Sequence, residues 1–176
     1  VLRSEGADVQ DVGFAPLADL AATNRVILIS EAYSIHRDWL ASRPQDYAKA
    51  TRDRIMPGAF FAAADYVDAL RQKARYLAQF NKMMDDFDVI ICASSMDPAC
   101  RIDDEPEVDR TYGRQARTPF NLLGAPAMAQ PIGFSKDGMP LSMQVVSRAF
   151  NEAMIYRVGR AFERVTEWTN QRPPVG

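Results

Sequence analysis

The sequence predicts an α/β fold in which helices cover a mixed β-sheet, and this chain is expected to supply part of that sheet. Residues 88–93 form an apolar run without alternation, which is typical of a strand buried on both faces. Two long segments repeat apolar residues at three- and four-residue steps, as helices do. Two further apolar runs separated by Asp137-Gly138 predict a hairpin.

The composition is that of an ordinary globular chain. The 176 residues are 47% hydrophobic and 25% charged, which suits a single domain, residues 1–176, with a core of its own. The formal net charge of −2 gives no basic footprint, so we expect no nucleic-acid partner. No apolar run is long enough to span a bilayer and no signal peptide precedes the fold, so we expect no membrane contact and a cytoplasmic location.

The N-terminal third is predicted to be mainly helical. Residues 2–5 resemble the end of a helix stopped by Gly6, from which we expect the chain to be a fragment, incomplete at its N-terminus. Residues 7–14 alternate moderately and predict a strand, and residues 17–42 predict a helix closed by Pro44. The apolar stripe expected to face the core of this helix consists of Leu17, Leu20, Ala21, Asn24, Ile27, Leu28, Ile35 and Trp39.

The middle of the chain leads from helix to strand to an acidic segment. A short helix is predicted over 45–55 and a long one over 59–85. The stripe of the long helix is Phe60, Ala63, Val67, Leu70, Ala74, Leu77 and Met84. The loop 94–100 follows the strand 88–93 at its carboxyl end, where open α/β sheets usually bind ligands. The acidic residues 101–112 predict a mobile loop.

The C-terminal third is predicted to hold a loop, a hairpin and a helix. Pro131 has no N–H to donate, so it predicts an edge position or a bulge in the first hairpin strand. Asn151 is a suitable N-cap for a helix that extends to about Trp168. Its apolar stripe is Ile155, Val158, Phe162 and Val165.

Two sequence patterns in residues 118–144 carry a resemblance. The first is Thr-Pro-Phe-Asn-Leu-x-Gly-x-Pro-Ala, and the second is Pro-x-Gly-Phe-x-x-Asp-Gly-x-Pro-Leu-x-x-Gln. Together they resemble the C-terminal part of the amidase signature family. Weaker matches in the family's order extend the resemblance over nearly the whole chain, at residues 31–33, 43–47, 58, 66–71, 152–163, 168 and 172–174.

The resemblance implies chemistry whose reactive groups lie elsewhere. Enzymes of this family hydrolyse or transfer amides with a serine nucleophile, a second serine in a cis peptide and a lysine, and the serines lie in a Gly-Gly-Ser-Ser-Gly-Gly-like run. This sequence has no such run. Ser94-Ser95 lacks neighbouring glycines, and no sequence signal supplies an adjacent base. We therefore expect no catalytic residue in this chain, and no cofactor.

The resemblance does imply substrate-binding residues. It places Ser94, Ser95 and Met96 in the loop near the substrate pocket, although an ordinary strand-end loop is the alternative. Asn121, in a predicted loop, can brace neighbouring backbone or bond a ligand amide, and it completes the predicted set. Gln144 either braces the sheet or reaches the pocket.

Other candidate sites are weaker. His36, the single histidine, lies on a predicted helix beside charged residues and is expected to be solvated or to cap. One histidine and two distant cysteines do not make a metal site.

The expected function is therefore that of part of an amidohydrolase acting on a small-molecule amide. The full enzyme would cleave carboxylic amides to an acid and ammonia or an amine. A protein like the A subunit of tRNA-dependent amidotransferases and a non-catalytic binding or assembly module of the same fold are the alternatives. Because a partial sheet leaves an unpaired edge, self-association is also expected.

Overall fold

A computed structural model describes residues 1–172, so the prediction that Pro173 and Pro174 end the fold lies outside the described residues. The chain forms two compact units. The helical unit is Ala15–Gln79, and the sheet unit joins Val1–Phe14 to the described chain from Phe80 onwards. Whether residues 1–176 act as a single domain of a longer enzyme stays a prediction.

The helical unit contains the predicted helices, the first with the predicted ends and the other two with shifted ends. They are α1 (Leu17–Ser42), α2 (Lys49–Ile55) and the start of α3 (Ala63–Met83). Short 3-10 turns, Pro44–Asp46 and Met56–Phe60, lie between them. The third helix begins later than predicted, where the carboxylate of Asp65, the third helical residue, accepts a hydrogen bond from the Ala62 amide at 2.9 Å, as in a capping box.

The predicted stripe of the first helix is correct in part, and that of the third helix is largely wrong. Leu20 and Ile27 are buried as expected, but Ile35 is 67% exposed, and Leu28 and Trp39 are exposed as well. Met84, a predicted stripe residue just beyond the end of the third helix, is buried too. The other buried positions of these two helices are Ile29, Leu40, Ala69, Tyr76 and Phe80. Apolar residues occur on more than one side of each helix, so spacing alone does not select the buried side.

Close packing inside the helical unit centres on Gly58. A Cβ atom at this position would lie 2.5 Å from the Ile29 carbonyl oxygen and 2.6 Å from the Tyr33 Cβ. The Tyr66 hydroxyl donates to the Glu31 carboxylate at 2.9 Å, which links α3 to α1 and raises the pKa of Tyr66. The resulting contacts join the two long helices and the turn before α3.

The sheet unit is built on three strands, β1 (Ile90–Ala93), β2 (Ala127–Phe134) and β3 (Pro140–Val146). Their order is β1-β3-β2, and both pairs are antiparallel. The helices of this unit are α4 (Glu105–Tyr112), α5 (Thr118–Leu123) and α6 (Glu152–Glu163). The α/β class, a sheet flanked by helices, is thus confirmed. The strand expected at 88–93 is β1, but it lies at an edge and Ile91 is partly exposed.

The hairpin confirms the most local predictions. Gly138 has a positive φ of 78° and its amide donates to the Ser135 carbonyl at 3.0 Å, closing the turn between β2 and β3. Pro131 lies on the edge strand β2, and the register of the pair shifts between Pro131 and Gly133. Edge position and irregularity are therefore both present at this proline.

Two segments differ from their prediction. Residues 7–14 contain no strand, because their weak alternation finds no neighbouring strand to pair with in the described chain. Residues 105–112, expected to be a mobile loop, form α4. Its N-cap Asp104 accepts from the Glu107 amide at 3.3 Å, and Pro106 occupies the first turn, where its missing N–H costs nothing.

The core of the sheet unit lies between the sheet and α6. Met143 and Val145 of β3 pack with Ile155 and Phe162 of α6. The last helix is shorter than predicted, and Val165 beyond its end is 47% exposed. No helix in residues 1–172 is both long and apolar enough to cross a lipid bilayer.

Candidate functional site

The loop that follows β1 is fixed on both sides by backbone hydrogen bonds. The Ser94 amide donates to the Ser142 carbonyl oxygen at 3.1 Å, which continues the pairing of β1 with β3. The Met96 amide donates to the Arg114 carbonyl oxygen at 3.1 Å, beyond the end of α4. The three predicted site residues of this loop, Ser94, Ser95 and Met96, are therefore consecutive and held from two directions.

Gln144 braces the start of this loop from the middle of β3. Its side chain is buried, and its Nε2 donates to the carbonyl oxygens of Ala93 at 3.1 Å and Ala116 at 2.9 Å. The same nitrogen lies 3.3 Å from the Cys92 sulfur. Of the two alternatives left open for Gln144, the structure therefore shows the bracing one.

The side chains of the loop differ in their hydrogen bonding. The Ser94 hydroxyl oxygen is buried and has no hydrogen-bond partner within the described residues. The Ser95 hydroxyl accepts a long hydrogen bond, 3.4 Å, from the Asp97 amide, and the Met96 side chain is exposed. Because buried hydroxyls are normally partnered, Ser94 retains a donor and an acceptor for a group beyond these contacts.

Asn121 lies apart from this loop in its hydrogen bonding. It belongs to α5 rather than to the predicted loop, and this helix ends at Gly124 with a positive φ of 67°. Its carbonyl oxygen accepts from the Gly124 amide at 3.3 Å. The exposed side chain forms no hydrogen bond with the rest of the described chain, so it does not brace the backbone.

Asp97 is the one strongly paired acid of the loop, and the sequence analysis did not single it out. Its side chain is only 14% exposed and accepts from Arg110 Nη2 at 3.1 Å and from Arg114 Nε at 2.6 Å. The Arg114 and Arg110 hydrogen bonds hold the pKa of Asp97 below its usual range. The available signal was Arg110 and Arg114 at four-residue spacing behind an Asp-x-x-Glu capping pattern.

Cys92 and His36 are two further side chains of kinds that take part in catalysis. Burial raises the pKa of the Cys92 thiol, so it is protonated near neutral pH and poorly suited to nucleophilic attack. His36, expected to be solvated or to cap, is instead partly buried in the helical unit with Nδ1 2.8 Å from the Tyr47 hydroxyl. Within residues 1–172, no group of three or more His, Cys, Asp or Glu side chains is arranged to hold a metal ion.

Residues 1–156 match the Amidase family. The chain therefore belongs to this family, which confirms the resemblance seen in residues 118–144. Over 145 residues it is 37% identical to the A subunit of the glutamyl-tRNA(Gln) amidotransferase of Lactiplantibacillus plantarum, a match that covers 78% of this chain and 30% of that protein. The chain thus spans under a third of the length of this curated relative.

Solved structures share the fold. The urea amidolyase of K. lactis superposes with a TM-score of 0.84 at 25% sequence identity, over 97% of this chain and 11% of that one. A vestigial protein complex, described as revealing the origins of an s-triazine catabolic enzyme, gives a TM-score of 0.79 at 26% identity. That second match covers 89% of this chain and 36% of the other.

Proposed function

We propose that the chain forms the C-terminal part of an amidohydrolase that cleaves carboxylic amides to an acid and ammonia or an amine. The family match over residues 1–156 carries this proposal. The sequence contains no Gly-Gly-Ser-Ser-Gly-Gly-like run, so the serine nucleophile, its cis-serine partner and the lysine belong to polypeptide outside this chain. The role left to these residues is to shape the pocket and to brace the sheet beneath it.

We place substrate binding at Ser94, Ser95, Met96 and Asn121. An amide presents a carbonyl acceptor and N–H donors, and the unpartnered hydroxyl of Ser94 can serve either group. The Asn121 carboxamide is exposed and can make the same two kinds of bond. The exposed Met96 side chain offers adaptable apolar contact to the remainder of the substrate.

A second candidate is a protein like the A subunit of tRNA-dependent amidotransferases. The 37% identity to the relative from Lactiplantibacillus plantarum favours it. In that case, the amide nitrogen of a donor passes to an acceptor carboxyl group rather than leaving as free ammonia. A non-catalytic binding or assembly module of the same fold is the third candidate.

Ammonia release separates these candidates. The native protein is purified from its source, its intact mass is measured, and it is assayed with simple amides and glutamine beside the 176-residue chain. We expect ammonia from the longer protein alone. Turnover by the 176-residue chain that exceeds a host-protein control and survives the Ser94→Ala/Ser95→Ala double substitution would contradict the proposal.

The acceptor requirement distinguishes the two enzyme classes. Ammonia release from several amides without any acceptor supports the amidohydrolase. Glutamine turnover that depends on added glutamyl-tRNA supports the amidotransferase. If the longer protein turns over none of the amides under either condition, the non-catalytic module remains.

We also propose that the chain is cytoplasmic and that, on its own, it associates with itself. Within the described sheet β1 and β2 each pair with β3 on one side only, so each leaves an open edge. An apparent mass by light scattering that rises with protein concentration is the expected result. A constant monomer mass over a hundredfold concentration range, about the span that resolves weak pairing, would contradict it.

A further inference from the structure

We propose that Asp97 is a positioning residue that holds the loop Ser94–Met96 in its substrate-binding shape through Arg110 and Arg114. This inference rests on the proposed function, since it concerns the loop assigned there to the substrate. Asp97 itself is not assigned contact with the substrate. Its role is to tie the loop to a helix.

Arg114 holds two consecutive residues of the loop. Its carbonyl oxygen accepts from the Met96 amide at 3.1 Å, and its Nε donates to Asp97 Oδ2 at 2.6 Å. A backbone bond and a charge-assisted side-chain bond therefore act on neighbouring positions. Bonds between ionised groups are the stronger kind, and the low exposure of Asp97 limits competition from water.

Arg110 connects the same carboxylate to α4. Its Nη2 lies 3.1 Å from Asp97 Oδ1, and the guanidinium also binds Glu107 through two hydrogen bonds of 2.8 and 2.7 Å. Glu107 stands in the first turn of the helix, where its amide is capped by Asp104. The arginine that reaches the loop is thus fixed by its own helix before it meets Asp97.

The charges of this cluster balance. Two guanidinium groups face two carboxylates, so the cluster carries no formal net charge. A cluster without net charge suits a structural hold for a loop that is assigned to a neutral amide. The Asp97 amide also donates a long hydrogen bond of 3.4 Å to the Ser95 hydroxyl, so Asp97 contacts a predicted binding residue.

Hydrogen exchange in the 176-residue chain tests the hold without any enzyme assay. In Asp97→Asn, the backbone amides of residues 96 and 97 are expected to exchange about tenfold faster, because the loop opens locally more often. Asp103→Asn is the matched control, since Asp103 pairs with Arg101 through the same chemistry but outside the loop. Unchanged exchange at residues 96 and 97 would overturn the proposal.

Enzyme kinetics of the longer protein test whether the hold on the loop affects substrate binding. Asp97→Asn is expected to raise KM about fivefold while kcat stays within about twofold, because loop order affects binding of substrate and transition state alike. Asp97→Glu keeps the charge and is expected to restore most of the affinity. A lower kcat with unchanged KM would indicate fewer folded molecules and would overturn the positioning role.

The exchange experiment and the kinetic experiment test different claims, so one can fail without the other. If the longer protein turns over no amide, the proposed function fails, while the exchange experiment still decides whether Asp97 holds the loop. If Asp97→Asn does not fold, Arg114→Gln removes the same ion pair and keeps the carboxylate. Faster exchange with an unaltered KM would show that the hold exists but does not serve the substrate, which overturns the positioning role.

Discussion

Ser147 and Ser94 show how differently two buried hydroxyls are used in the sheet unit. The Ser147 hydroxyl donates to the Asp88 carbonyl oxygen at 2.9 Å and accepts from Asn151 Nδ2 at 2.8 Å. The hydroxyl of Ser94 has no partner among residues 1–172. The Ser147 hydroxyl therefore stabilises the fold. The Ser94 hydroxyl is removed from water without gaining a hydrogen bond, which costs free energy.

This difference predicts opposite outcomes for the same substitution. Ser147→Ala is expected to lower the free energy of unfolding by about 1–3 kcal/mol, because it removes both hydrogen bonds of a fully buried hydroxyl. Ser94→Ala is expected to change it by less than about 0.5 kcal/mol. Urea unfolding of both variants measures the difference, and equal losses would show that Ser94 is bonded in solution.

Sequence reasoning named some residues of the candidate loop and missed another. Ser94, Ser95 and Met96 were predicted from the resemblance and lie in one braced loop. Asp97 was not predicted, because its partners are thirteen and seventeen positions away and such pairing depends on how α4 folds. The substrate-binding roles assigned to Ser94, Ser95, Met96 and Asn121 all stay predictions.

The α4 helix owes its start to a short local signal. Asp104 accepts from the Glu107 amide and fills one of the donors that a helix N-terminus leaves unpaired. Asp104→Ala is expected to destabilise the sheet unit by about 1 kcal/mol and to fray α4. Asp104→Asn retains a side-chain acceptor and serves as the control, and an equal loss in both variants by circular dichroism and urea unfolding would rule out capping.

Gly58 sets the closest approach between elements of the helical unit. An added Cβ would meet the backbone of Ile29 and the Cβ of Tyr33, neither of which can rotate away. Gly58→Ala is therefore expected to cost about 1–3 kcal/mol. Gly113→Ala, where a Cβ meets nothing within 4 Å, is the control and should be neutral or slightly stabilising, as judged by thermal unfolding.

Element prediction succeeded where the signal was local. The turn at Gly138, the edge position of Pro131 and the extent of α1 follow from a few neighbouring residues. The acidic composition of residues 101–112 concealed α4, because the Asp104 cap and its ion pairs outweigh the low apolar content. The strand expected at 7–14 failed for the opposite reason, since alternation needs a partner that local sequence cannot supply.

For the molecule as a whole, the buried sides of the long helices were the least predictable feature. Tyr76 and Phe80 are buried on α3, whereas Val67 and Leu70 of the predicted stripe are exposed. A hydrophobic stripe shows that a helix has an apolar side, but the neighbours that cover it are set by tertiary packing. The predicted α/β class is correct nevertheless, because it depends on which helices and strands are present and not on which side of each helix is buried.

Ion pairs make the stability of the whole chain depend on pH. Hydrogen bonds from basic partners hold the pKa values of four carboxyl groups below their usual range, in Asp53, Asp97, Asp103 and Glu107. A carboxyl whose folded pKa is depressed stabilises the fold above its unfolded pKa and loses this effect as pH falls through the folded value. Most of these pairs are exposed, so salt screens them.

The melting temperature should therefore fall as the pH is lowered below about 5, where carboxyl groups begin to gain protons in the unfolded chain. Added salt is expected to weaken the dependence. Asp97→Asn, which removes the least exposed of these four carboxyl groups, should flatten part of the curve. Calorimetry between pH 3 and 7, about the range over which carboxyl groups titrate, measures this, and a melting temperature that rises on acidification would contradict it.

The order of the strands has a consequence for how the chain reaches its native state. The hairpin of β2 and β3 closes across a turn of a few residues, whereas the contact between Cys92 and Gln144 spans 52 positions. Short loops close fastest, and distant pairings wait for the entropy of a longer closure. We expect the hairpin to assemble first and β1 to dock onto it late, so the segment beginning at Ser94 acquires its conformation at the end of folding.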